Sequence, residues 1–155
     1  MRKYYESLSE HMRALHGEVL KALDVLPPEA LDWSPGPEMN SLSVLVMHLA
    51  GAERYWVGDV VKGDPSFRNR EAEFETRGMD AAALKQRLAD LDAYETAAFE
   101  TLRVRDLESF KVSPRDGRSV TVAWALLHAM QHTAVHVGHI EILVQQWKLR
   151  DKAKV

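Results

Sequence analysis

Cysteine is absent from all 155 residues, which excludes disulfides, thiolate zinc sites, iron–sulfur clusters and a cysteine nucleophile. Any metal must be held by nitrogen and oxygen donors. Charge of one sign is also lacking: 20 Lys and Arg against 23 Asp and Glu leave a formal charge of −3. The basic residues are scattered along the chain, so the electrostatic footprint of a nucleic-acid binder is missing. The longest apolar stretches, around Val44–Ala52 and Val120–Met130, fall short of the roughly 18–20 residues that span a bilayer. The segment MRKYYESLSEHMR has no apolar signal core, and the expectation is a cytoplasmic protein with neither a membrane nor a nucleic-acid partner. With 46% hydrophobic residues and no repeat, low-complexity tract or linker, residues 1–155 read as one domain around one core.

What is present is helical periodicity nearly everywhere. Leu8, Met12, Leu15, Val19 and Leu23 recur at three- and four-residue steps, predicting a helix near 2–26 that Pro27 and Pro28 stop. After a connector with Pro35, Gly36 and Pro37, Ser41 or Ser43 can cap a second helix near 41–62. A polar stretch containing Arg68, Asn69, Arg70 and Glu71 follows. Asp80 then caps a third helix near 80–103. The longest break, Val104–Val122, has a turn at Pro114-Arg-Asp-Gly117 between short segments that suit a small hairpin. A fourth helix, near 119–149, starts at about Ser119 or Thr121. Four apolar-striped helices predict an all-α four-helix bundle, a fold that assembles metal sites from side chains on facing helices.

Four of the seven histidines lie in the last helix, in His128-Ala-Met-Gln-His132-Thr-Ala-Val-His136-Val-Gly-His139. At roughly 100° per residue all four project from one side. Imidazole is the commonest protein metal ligand, and residues four apart are close enough to share an ion. Eight residues of helix rise about 12 Å, so His128 and His136 cannot meet at one centre, and the pair is His128/His132 or His132/His136. A third group must come from another helix, and His48, on the flank of the second helix's apolar stripe, is the candidate. Thr133 follows His132 where the zinc-protease motif needs a glutamate, which argues against a zinc protease. Trp124 lies one turn before His128, and Tyr55 two turns after His48, so both are candidate pocket residues with His128. Core packing is the plainer account of Trp124 and Trp56. His11 and His16 read as polar-face residues of the first helix. Glu53 and Glu141 fall on faces away from the ligand candidates and are not assigned as general bases.

The combination of Ser41-Leu-Ser-Val-Leu-Val-Met-His48-Leu-Ala-Gly-Ala-Glu-Arg-Tyr-Trp56 with Leu127-His-Ala-Met-Gln-His132-Thr-Ala-Val-His136-Val-Gly138 resembles the DinB/YfiT superfamily over nearly the whole chain. That resemblance implies a four-helix bundle holding one divalent metal, nickel or zinc and in some members iron, through His48, His132 and His136. It leaves His128 one turn away as a pocket residue. Where many relatives continue with Arg-Gly-Gln, this chain has Val137-Gly138-His139, keeping only the glycine, and His139 reads as a helix-surface neighbour of the site.

Three imidazoles leave coordination positions open, the arrangement of a catalytic ion. Relatives include S-transferases and isomerases that use low-molecular-weight thiols, so the resemblance implies a metal-dependent thiol transferase or hydrolase acting on a small-molecule substrate. The missing cysteine suits a nucleophile supplied by a cosubstrate. A stress-associated protein that binds a metal or small molecule without turnover is the alternative. Family behaviour and aromatic-rich helix ends lead to the expectation of a homodimer.

Overall fold

The computed structural model describes residues 3–150. The predicted first helix begins at residue 2, outside the described residues. It is observed as α1, Lys3–Val25. A 3₁₀ turn at Pro28–Ala30 follows. Helix α2, Leu42–Arg54, starts where the Ser41 hydroxyl accepts the Val44 amide at 3.3 Å. From Tyr55 to Lys62 the same helix widens to π-helical winding and ends at Gly63, whose φ of 68° is left-handed. That conformation suits glycine.

Two features depart from the sequence expectation. The polar stretch after Gly63 contains a short helix, α3, Arg70–Phe74, capped by Asn69. Ser119–Thr121 does not begin the last helix but forms β2, paired antiparallel with β1, Phe110–Val112, in the register Phe110 to Thr121 and Val112 to Ser119. The last helix, α5, therefore runs Val122–Leu149, with Thr121 as its cap. Helix α4 is Ala81–Thr101, capped by Asp80. Among the described residues no helix is long and apolar enough to cross a membrane.

The long helices α1, α2, α4 and α5 form the bundle, and its core divides into two apolar halves. One contains Leu23, Leu49, Leu88 and Ile140; the other contains Met12, Trp56, Phe99 and Leu126. Between them lies a buried polar layer with one residue from each long helix: His16, Glu53, Glu95 and Thr133. His16, placed on the polar face by sequence, is 1% exposed. It faces inward because its ring bridges two carboxylates, Nε2 at 2.9 Å from Glu53 and Nδ1 at 2.8 Å from Asp92. Glu53 also accepts the Thr133 hydroxyl at 2.5 Å. Burial alone would lower the His16 pKa, but the hydrogen bonds and charges of Asp92 and Glu53 outweigh it and raise it to about 9. The Glu95 pKa is raised as well, by burial first and then by the Glu53 charge, which for a carboxyl favours the neutral form. The layer thus favours a protonated His16 imidazole and the neutral form of the Glu95 carboxyl, which makes four buried polar groups compatible with a bundle centre. His11, by contrast, is exposed.

Candidate metal centre

Helices α2 and α5 bring His48, His132 and His136 together, with one nitrogen from each ring lying within 4.8 Å of the others. The ring of His48 is 5.0 Å from that of His132 and 4.9 Å from that of His136. His132 and His136, one turn apart on α5, point their Nε2 atoms at each other at 3.2 Å. Tetrahedral coordination with bonds near 2.1 Å would set ligand nitrogens roughly 3.4 Å apart, close to that separation. Burial first, then the charges of His136, His48, His128 and Arg68, push the pKa of His132 down to about 3. Burial, His48 and His139 push His136 down to about 4. Both rings are therefore neutral at pH 7 and carry a lone pair. Two facing lone pairs are unfavourable unless a proton or a cation lies between them, and the buried His132 Nδ1 has no hydrogen-bond partner. The donor set fits a divalent ion.

Behind His48 stands a carboxylate that the sequence reading missed. His48 Nδ1 lies 3.0 Å from Glu73 Oε2, and with Nδ1–H donating to that oxygen the Nε2 lone pair is free to bind metal. Glu73 is clamped by Arg68, whose Nε and Nη2 donate at 2.6 and 2.7 Å to its two oxygens. Burial would raise the Glu73 pKa, but the hydrogen bonds from Arg68 and His48 and their charges hold it below the usual carboxylate range. This arrangement passes over Gly51, one turn after His48. A Cβ there would stand 2.8 Å from Glu73 Cδ and closer still to its Oε1. Asn69 followed by Glu71 and Glu73 is a cap-and-acidic-turn signal that marks α3 in the sequence. Nothing in the local pattern signals that Glu73 reaches back to His48.

The other sequence candidates border this centre. His128 lies with its ring 6.2 Å from that of His132, stacked on Trp124 at 4.7 Å and edge-on to Trp56 at 4.8 Å. Burial, then the charges of Arg118 and Arg115, lower its pKa. Trp124 is 38% exposed and Trp56 is buried, so core packing accounts for Trp56 alone. Tyr55 is buried and its hydroxyl is not directed at the triad: it meets Ser113 Oγ at 2.8 Å and accepts the Arg115 amide at 3.2 Å. It fastens the β1–β2 turn to α2 and contributes only its ring to the neighbouring cleft. His139, exposed, has Nδ1 3.4 Å from His136 Nδ1. Glu53 belongs to the core layer, and Glu141 is exposed.

Solved structures share this architecture. YfiT from Bacillus subtilis, described as a probable metal-dependent hydrolase with an unusual four-helix bundle topology, is 18% identical with a TM-score of 0.73, over 96% of this chain and 90% of its own. A conserved protein from Enterococcus faecalis is 14% identical with a TM-score of 0.78, covering 94% and 97%. A DinB-like protein from Bacillus cereus is 17% identical with a TM-score of 0.75, covering 92% of each. These likenesses establish a DinB/YfiT-like bundle. No curated protein matches the chain significantly. The model of the family described as Mycothiol-S-transferase matches residues 7–148, and the chain belongs to that family.

Proposed function

We propose that this protein is a metal-dependent thiol S-transferase in which His48, His132 and His136 hold one divalent ion, nickel or zinc, and a low-molecular-weight thiol such as mycothiol is joined to a small electrophile. The observation that carries the reading is the triad of imidazoles, two of them held neutral and the third backed by an ionised carboxylate, in a chain without cysteine. When bound, the ion supplies an open Lewis-acidic position that lowers the pKa of a thiol or of water. Glu73 orients His48 and increases its basicity, while Arg68 keeps Glu73 ionised. The stacked rings of Trp124 and His128 wall the approach along α5 and exclude water from one side. His128 orients thiol or substrate without being a ligand.

The test has two stages. Protein purified without an affinity tag is analysed for metal, and nickel and zinc titrations are repeated on His48→Ala/His132→Ala, with His11→Ala as control. The double variant should lose binding and the control should keep it; parental affinity in the double variant would overturn the ligand assignment. Thiol consumption is then followed over a panel of electrophiles, and His128→Ala should retain metal yet turn over more slowly. Metal-loaded protein that consumes no thiol but hydrolyses esters would replace the transferase reading by a hydrolytic one.

A further inference from the structure

Between residues 63–70 and the β1–β2 turn lies a cleft of about 540 Å³, connected to the triad through Arg68, which lines it and whose Nη2 is 3.5 Å from His48 Nδ1. Its apolar floor is made by Tyr55, Pro65 and Pro114, and Arg68, Arg70 and Arg115 stand around it. That volume suits a small organic molecule. The charges there are unevenly matched. Arg68 is consumed by Glu73, and Asp59 by Arg54 and the Ser66 amide. Arg70 lies over the Phe74 ring at 4.8 Å and makes no salt bridge among the described residues. Arg115 lies 5.6 Å from the Tyr55 ring, and its carboxylate neighbour is the exposed Asp116, 3.5 Å away.

Arg118, one strand-turn further on, sits over Trp124 at 4.3 Å and likewise has no ion pair among the described residues. His128 stacks on the same Trp124 ring at 4.7 Å and lies 6.2 Å from His132, so Arg118 stands at the end of a row of rings that leads to the triad. In a chain of net negative charge, Arg70 and Arg118 thus stand without ion-pair partners among the described residues, and Arg115 has only the exposed Asp116. Phe67 stands at the rim of the cleft, 91% exposed and held at a φ of 51°. For a bulky residue that conformation is strained, and such strain concentrates at ligand sites.

We infer that this cleft binds the carboxylate end of the small molecule processed at the triad, with Arg70 and Arg115 pairing the anion and the Tyr55, Pro65 and Pro114 surface taking its apolar part. The inference rests on the thiol-transferase reading for the identity of the reaction, but the binding it describes can be measured without turnover. The carboxylate can reside on the thiol or on the electrophile. Three thioethers separate these sources: S-benzyl-N-acetylcysteine amide, which is neutral; S-benzyl-N-acetylcysteine, with the charge on the thiol side; and S-(4-carboxybenzyl)-N-acetylcysteine amide, with the charge on the electrophile side.

Each is titrated calorimetrically into zinc-loaded protein at low and high salt. At least one anionic conjugate should bind about tenfold more tightly than the neutral one, the worth of one charge-assisted contact. The advantage should shrink at high salt and disappear in Arg70→Gln/Arg115→Gln. Both side chains are exposed, and circular dichroism checks that the variant is folded. Which conjugate gains identifies the partner that carries the charge. The inference is overturned if the neutral conjugate binds as tightly as both anions, if the advantage survives the double substitution, or if none of the three binds. Turnover of N-acetylcysteine amide without any charge preference would reject the cleft while leaving the transferase intact; an arginine-dependent charge preference without turnover with any electrophile would do the reverse.

Discussion

Replacing Gly51 by alanine sets helix propensity against the site. In a helix interior alanine is favoured over glycine by about 1 kcal/mol, so G51A should stabilise α2 if nothing stood above it. Glu73 does stand above it. A Cβ at 2.8 Å from Glu73 Cδ requires the carboxylate to retreat by roughly an ångström to reach ordinary contact distance. That carboxylate receives two hydrogen bonds from Arg68 and one from His48, and bonds to charged groups contribute about 1.5–3 kcal/mol each. Weakening two of them outweighs the propensity gain, so a net loss of about 1–3 kcal/mol follows, discounted for repositioning of the flexible Arg68. Losing the carboxylate behind a ligand histidine should also weaken zinc binding by about 10–100-fold.

The assay is urea unfolding of chelator-treated protein, paired with zinc titration. Gly17→Ala in α1 is the internal control, because a Cβ there meets nothing within 4 Å. It should gain about 1 kcal/mol and bind zinc normally. If G51A were as stabilising as G17A and bound zinc like the parent, the Glu73–His48 contact would not hold the ring in solution.

His16 gives a pH prediction of definite sign. Its pKa is raised from 6.5 to about 9, so its ion pairs stabilise fully below 6.5, and that contribution, about 3 kcal/mol at 1.36 kcal/mol per pH unit, is lost as pH rises through 9. Chemical denaturation of the parent between those values should show the decline, and His16→Gln should be less stable at neutral pH with the decline removed. His132 and His136 act at the acid end: with pKa values of about 3 and about 4, they resist protons that the unfolded chain accepts below 6.5, so metal-free protein should lose stability as pH falls from there towards 4, whereas protons should displace zinc from these two rings of the folded protein only as pH falls through about 4 and about 3. A flat acid limb in denaturation curves would contradict the buried neutral pair. Tyr55→Phe removes the hydroxyl shared by Ser113 and the Arg115 amide; a stability loss of about 1–3 kcal/mol and faster hydrogen exchange at Arg115 are expected.

The helices were legible in the sequence because their signals are local. Ser41, Asp80 and Thr121 cap as side-chain chemistry requires, and apolar spacing marks the buried stripes. The three histidines were legible because two share a helix face and the third carries a family resemblance. What escaped is non-local. His16 was read as surface because an imidazole beside an apolar stripe looks solvated until its partners, Asp92 on α4 and Glu53 on α2, are seen 76 and 37 positions away in sequence. Glu73 escaped for the same reason, being 25 residues from the ring it holds. The strand pair was legible only as an option: its three-residue strands are too short for a period to declare itself, and the Tyr55 hydroxyl that holds its turn comes from another element.

These non-local contacts set the relation between α2 and α5, on which the geometry of the histidine triad depends. Along α2, His48 and Glu53 are five residues apart; on α5, His132 and Thr133 are adjacent. Adjacent helical residues diverge by about 100°, so Thr133 can turn into the core to donate to Glu53 while His132 turns towards His48. The Glu53–Thr133 bond therefore fixes the axial register of the two helices within a turn of the triad, and the Glu73–His48 bond fixes the rotation of one ring within that register. Apolar packing alone tolerates small axial slips at modest cost, because hydrophobic burial is non-directional. A triad whose facing nitrogens lie 3.2 Å apart does not. The polar layer costs desolvation energy that an apolar layer would avoid, and what it supplies in return is directional contact next to the histidine triad.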